Sequence, residues 1–127
     1  MSRIPISTKK APAAVGAYTQ AIRSSNLVFV SGQLALNPET GIMSGKDIAE
    51  QTDQALRNLD AIVGAAGATL SDVVKTTVYL ANINDFATMN GVYEQYFSDP
   101  APARAAVEVS RLPKDALIEI DAIVVIP

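Results

Sequence analysis

Side chains along the extended segments of this chain alternate between a nearly pure apolar set and a mixed one, while only two stretches repeat at helical spacing. One set reads Val28, Val30 and Gly32; Val74, Thr76, Val78 and Leu80; Ala105, Val107 and Val109; and Ile118, Ile120, Ala122, Val124 and Ile126. The other reads Phe29, Ser31 and Gln33; Lys75, Thr77 and Tyr79; Arg104, Ala106 and Glu108; and Leu117, Glu119, Asp121, Ile123 and Val125. The first is a face for helices to cover. The second mixes apolar groups with convergent polar ones, and two helices are too few to cover both faces of a sheet of about six strands. A second subunit is expected on the mixed face, with a polar pocket inside that interface.

The strands predicted from β-branched and aromatic runs are 17–23, 27–33, 73–80, 103–109 and 117–126, with 3–7 a weaker candidate. The short gap through Ser24, Ser25 and Asn26 is a hairpin, so the sheet is at least partly antiparallel. The first helix is expected over 47–66, with Ile48, Ala55, Leu56, Leu59, Ile62, Val63 and Ala66 on one stripe, Ser44 and Asp47 at its cap and Gly67 at its stop. A second is expected over 85–98, with Phe86, Met89, Tyr93 and Phe97 aligned and Pro100 beyond its end. No linker or repeat interrupts the pattern, so residues 1–127 read as one domain of α+β class, a mixed sheet with two helices packed on one face.

Composition narrows the chemistry. With 49% hydrophobic and 18% charged residues the chain can bury a core, and its formal net charge of −3 offers no footprint for nucleic acid. It has no Cys and no His, which excludes disulfides, thiol nucleophiles, imidazole acid–base catalysis and Cys/His zinc sites. No metal is expected. Residues 1–15 lack the apolar run of a secretory signal, and no apolar stretch is long enough to span a bilayer, so the expected location is cytoplasmic, with no membrane partner.

Several motifs in order resemble the RidA branch of the YjgF family, the reactive-intermediate imine deaminases. They are Val15-Gly16-Ala17-Tyr18-Thr19-Gln20-Ala21, Val28-Phe29-Val30-Ser31-Gly32-Gln33, Asp72-Val73-Val74-Lys75-Thr76-Thr77-Val78-Tyr79-Leu80, Asp85-Phe86-Ala87-Thr88-Met89-Asn90, Pro102-Ala103-Arg104, Arg111-Leu112-Pro113-Lys114-Asp115 and Ile118-Glu119-Ile120. The resemblance implies a chorismate-mutase-like fold, a homotrimer with clefts at its subunit boundaries, and hydrolysis of 2-iminobutanoate and 2-iminopropanoate to 2-oxo acids. The chain departs from the family pattern at Ala17, where Pro is common, and at Ala105 and Ala106, where Ser or Thr followed by Cys is common. A water-driven hydrolysis of an imine does not need that thiol.

The candidate site follows from the same motifs. Arg104 offers paired planar donors for a substrate carboxylate, though an Arg at a strand start can equally pair with a nearby Glu. Glu119 sits in an apolar run where a carboxylate needs a partner, water or a proton; the resemblance favours water activation over a structural ion pair. Tyr18 and Ser31 enter as hydrogen-bonding catalytic groups by their match to the family, and either could instead satisfy local backbone. Gly32 and Ala106 are small enough to let a ligand approach the backbone, and Phe86 and Asn90, four apart, are expected to form a pocket wall. Lys75 and Lys114 are assigned no catalytic role. The expected reaction needs no cofactor: Arg104 anchors the 2-imino acid, Glu119 orients water, and Tyr18 and Ser31 assist proton movement. The alternative from another class is a regulatory module that binds 2-oxo acids through Arg104 without turnover.

Overall fold

A computed structural model describes residues 2–127. The elements are β1 (Ile4–Ile6), β2 (Ala21–Ser24), β3 (Leu27–Gln33), α1 (Ile48–Ala65), β4 (Val73–Leu80), α2 (Phe86–Tyr93), β5 (Ala103–Glu108) and β6 (Ile118–Val125), with short 3-10 turns at Leu70–Asp72, Ile83–Asp85 and Pro113–Asp115. The six strands form one sheet in the order β1-β2-β3-β6-β4-β5. Every neighbouring pair is antiparallel except β4 with β5, which run parallel. Because β3 and β4 both pair antiparallel with β6, they are parallel to each other, so α1 and α2 each lie in a crossover between parallel strands. Both crossovers step the same way across the sheet, and right-handed crossovers that step the same way place their helices on the same face. The expected α+β layout with two helices on one face is the observed one.

Helix α1 begins where Asp47, in extended backbone, accepts a hydrogen bond from the Glu50 amide at 2.9 Å. Ser44 takes no part in the cap; its amide donates to the Ala35 carbonyl at 2.7 Å. The buried stripe of α1, Ala55, Leu56, Leu59, Ile62 and Val63, packs with Val28, Val78, Leu80, Ile118, Ile120 and Val124 of the sheet in one core. Helix α2 is shorter than the expected 85–98. After Tyr93 the amides of Gln95 and Tyr96 donate to carbonyls three residues back, and Tyr96 turns its hydroxyl onto the Asp53 carboxylate of α1. Phe97 still buries its ring against Tyr93, at 4.6 Å between centroids, so the apolar spacing continues past the helix. Strand β2 starts at Ala21, four residues later than the expected 17, and turns into β3 through Ser25 and Asn26.

Two register shifts revise the assignment of faces. Between Val30 and Gln33 an irregularity in the pairing with β6 puts Gln33, in place of Gly32, opposite the core residue Ile120. Between Val73 and Lys75 a second shift buries Val73 and leaves Val74 45% exposed. On β5 the expected phase is reversed: Arg104 pairs with buried Thr76 and Ala106 with buried Val78, so these two face the helices, while Ala105 and Val107 share the open face with Thr77 and Tyr79. The physical reason is that β5 is an edge strand of small residues, so Ala105 and Ala106 give alternation no contrast.

Buried polar groups tie the layers together. Asn58, on the buried side of α1, donates through Nδ2 to the carbonyls of Leu34 and Leu36, both at 2.9 Å, holding the chain after β3 against the helix. The hydroxyls of Thr76 and Tyr93 share a buried hydrogen bond of 2.7 Å between β4 and α2. Asn58→Leu keeps comparable volume but strips two carbonyls of their donor. It should cost about 1–3 kcal/mol in chemical denaturation at fixed protein concentration; an unchanged midpoint would show that the latch contributes nothing.

Candidate active site

The shift in β3 that displaces Gly32 from the core phase brings it against Glu119 of β6. A methyl group on Gly32 would stand 2.0 Å from Glu119 Oε2, so the missing side chain is the space that the carboxylate occupies. Tyr79 faces Glu119 across β4 and β6 and donates its hydroxyl to Asp121 Oδ2 at 3.2 Å. Burial, and then the negative charge of Asp121, hold the Glu119 carboxyl above the usual carboxylate range. Ser31 lines the same cleft as Glu119, its hydroxyl donating to the Thr19 carbonyl at 2.6 Å, so the local backbone bond that is the alternative role for this side chain is present. Tyr18 is 52% exposed on the loop before β2. Tyr18, Ser31, Gly32 and Glu119 all line one cleft of about 870 Å³, together with Val15 and Lys114. Lys114, with φ 57, belongs to the Arg111–Asp115 motif but is assigned no catalytic role from the sequence.

The other expected residues gather on the helix side of the sheet. The Arg104 Nη1 donates to Asn90 Oδ1 at 2.8 Å, and its guanidinium carbon lies 4.7 Å from the ring centre of Tyr93 and 5.3 Å from that of Phe86. The i, i+4 spacing of Phe86 and Asn90 is what lets both reach one guanidinium. An aromatic seat of this kind holds a planar cation at its face while leaving its edge N–H groups for other acceptors. Arg104, Asn90, Tyr93 and Pro102 border a hollow of about 370 Å³. Ala106 follows on the same face and packs against the core. Tyr93 was missed as a site residue because its place on an apolar helical stripe reads as core, which it also is.

Within one chain, then, the eight expected residues fall into two groups on opposite faces of the sheet. Arg104, Asn90, Phe86 and Ala106 stand on the helix side at the β5 edge, and Glu119, Gly32, Ser31 and Tyr18 stand around the cleft of the open side. The first group holds a cation suited to a carboxylate. The second holds a carboxyl group of raised pKa beside hydroxyl groups, a set suited to moving protons. Among the described residues, no cluster of three or more His, Cys, Asp or Glu side chains could hold a metal ion.

Comparison with known proteins joins this geometry to a family. The family model described as Endoribonuclease L-PSP matches residues 8–126. A RutC family protein of Pyrococcus abyssi is 55% identical over 97% of this chain and 97% of its own length. The 2-iminobutanoate/2-iminopropanoate deaminase of Escherichia coli is 50% identical over 94% of this chain and 95% of its own. The crystal structure of RidA from an Antarctic Psychrobacter superposes with a TM-score of 0.94 at 47% identity, covering 98% of this chain and 100% of that one. By sequence over nearly its whole length and by its chorismate-mutase-like fold, the chain belongs to the L-PSP/YjgF family, in the RidA branch.

Proposed function

We propose that the chain hydrolyses reactive 2-imino acids, such as 2-iminobutanoate and 2-iminopropanoate, to 2-oxo acids and ammonia, and that it does so in the cytoplasm as a homotrimer. The observation that carries this reading is the division of the site. Each half is chemically incomplete, and a neighbouring copy seated on the open sheet face would bring the Arg104 group of one protomer to the Glu119 cleft of the next. That face carries Phe29, Val74 and Val107 exposed, apolar area that a second copy would cover. Relatives about half identical over most of the chain are named for this deaminase activity.

In the proposed mechanism Arg104, steadied by Asn90 and its two aromatic neighbours, binds the substrate carboxylate through N–H groups that Asn90 does not engage. Glu119 takes a proton from water as the water oxygen attacks the imine carbon. The protonated imine is already electrophilic, so the C=N pair moves onto nitrogen and a carbinolamine forms. Glu119 returns its proton to nitrogen, the C–N bond breaks with its electron pair leaving on ammonia, and the carbinolamine hydroxyl gives its proton back to Glu119 as the carbonyl forms; in this reading Tyr18 and Ser31 relay these protons. Positioning and proton transfer suffice for so labile a bond, and no cofactor is invoked. Binding of 2-oxo acids without turnover uses the same Arg104 seat and differs only in lacking the Glu119 step. RNA hydrolysis, suggested by the family description, would call for charge that neutralises phosphates, and the chain's formal net charge is −3.

A threonine dehydratase assay, following 2-oxobutanoate release with and without this protein, separates these readings, since a binder alone leaves the rate unchanged. In that assay Arg104→Lys should weaken substrate anchoring and Arg104→Ala should nearly abolish acceleration. A lost charge-assisted contact of about 1.5–3 kcal/mol corresponds to a fall of about tenfold to a hundredfold or more. Full acceleration by a folded Arg104→Ala protein would remove the carboxylate anchor.

The pH profile tests Glu119. Its carboxyl must be deprotonated to accept a proton, so the rate should fall as pH drops through its raised pKa. Asp121→Asn removes the negative neighbour and should move that acid limb to lower pH. A limb unmoved by this change, and still present in Glu119→Gln, would assign the titration to another group.

A further inference from the structure

Gln20 also lines the Glu119 cleft, just before β2, yet it is only 4% exposed because its side-chain amide is taken up by backbone partners. Its Oε1 accepts from the Thr8 amide at 2.7 Å. Its Nε2 donates to the carbonyls of Pro12 at 2.7 Å, Thr8 at 3.1 Å and Ala11 at 3.3 Å. On its own backbone, the Gln20 carbonyl accepts from the Ser31 amide at 3.0 Å, next to the bond from the Ser31 hydroxyl to Thr19. The chain between these two attachments, residues 13–18, is a strap. Its start at Pro12 is held by the Gln20 side chain and its end by the Gln20 and Thr19 backbone. Pro12 before it and Ala13, Val15 and Tyr18 within it line the Glu119 cleft. Little else holds the strap in the protomer: Val15 is 83% exposed, and Gly16 has φ +113 with nothing within 4 Å of where a side chain would begin.

We propose that Gln20 is a positioning residue of the active site, a clasp that closes the strap over the Glu119 cleft and thereby sets the place of Tyr18. The inference rests on the deaminase reading for what the cleft does, but the clasp itself rests on the four side-chain bonds. Its logic is that of loop closure: one amide fixes both ends of a short segment, so losing it frees the segment to sample many arrangements in which Tyr18 is misplaced. Ser31 is treated differently by the same residue. It is held through the Gln20 backbone carbonyl, which survives any side-chain change, so loss of the amide should impair Tyr18 and spare Ser31 and Glu119.

The test is a double-mutant cycle in the dehydratase-coupled assay with Gln20→Met, which keeps length and bulk but makes none of the four bonds, and with Tyr18→Ala. Gln20→Asn, which keeps an amide but lacks the reach, stands in where the Met variant does not fold. Each single variant should lower the acceleration by about 10-fold to 100-fold, and the double variant no further. Hydrogen–deuterium exchange should rise in peptides spanning residues 13–18 while staying at its original level in α1. Independent, multiplying losses in the double variant, exchange rising across the whole chain, or a folded Gln20→Met protein at full rate would each overturn the proposal, as would full acceleration by Tyr18→Ala. Absence of acceleration by the unaltered protein would defeat the deaminase reading, and the exchange measurement would then decide the clasp by itself.

Discussion

Two right-handed crossovers stepping in the same direction are the constraint on which the rest of this molecule depends. β3-α1-β4 and β4-α2-β5 advance toward the same sheet edge, so both helices fall on one face and the other is left without cover from the chain itself. From that asymmetry come the core, which lies between helices and sheet, and the open face with its cleft. The return of β6 between β3 and β4 completes the arrangement. It places Glu119 in the middle of the sheet, flanked on one side by the Gly32 irregularity and on the other by Tyr79.

The polar groups inside this frame have positioning as their common effect. Asn58 fixes the segment after β3, and Thr76 and Tyr93 join β4 to the helix that seats Arg104. Gln51 belongs to the same class: it donates to the Gly45 carbonyl at 3.3 Å and accepts from the Leu117 amide at 2.9 Å, binding the start of α1 to the start of β6. Each of these side chains leaves water only because its partners are fixed in advance, and each therefore couples the register of the core to the placement of a site residue. The raised pKa of Glu119 is the exception in kind. There a half-buried carboxyl group has the negative Asp121 as a neighbour, an arrangement that stores chemical reactivity where the others store rigidity.

Much of the fold could be read from residue patterns alone. The α1 stripe from Ile48 to Val63, the β3 and β4 boundaries and the turn at Ser25 and Asn26 follow from periodicities that are locally strong. What escaped local reading were features set by partners far away in sequence. The shifts at Val30–Gln33 and Val73–Lys75 arise in pairing with β6, and no pattern within β3 or β4 announces them. The reversed phase of β5 is hidden by Ala105 and Ala106, which fit either face, and its consequence for Arg104 is that its neighbours are Asn90, Phe86 and Tyr93 and not the groups of the open side. Family resemblance singles out Tyr18 and Ser31, small size singles out Gly32, and an apolar run together with the resemblance singles out Glu119; their gathering around one cleft depends on a bulge that residue spacing does not encode. Gln20 stands within a family motif and the expected strand 17–23, but its role as a clasp is not legible there, because a glutamine in a strand reads as surface until its carbonyl partners are known.

The central claim is that an active site is made from the Arg104 side of one protomer and the Glu119 side of another. Its most direct measurement is complementation between two inactive proteins, Arg104→Ala and Glu119→Gln, unfolded together, refolded as mixed assemblies and assayed for imine hydrolysis. If each site draws its halves from two chains, random mixing at equal amounts should restore about a quarter of the unaltered activity per site, because about one interface in four pairs an intact Arg104 with an intact Glu119. Neither protein refolded alone should recover. Mixed assemblies that form and yet remain as inactive as their parents would show that both residues must come from the same chain, and would contradict the shared site.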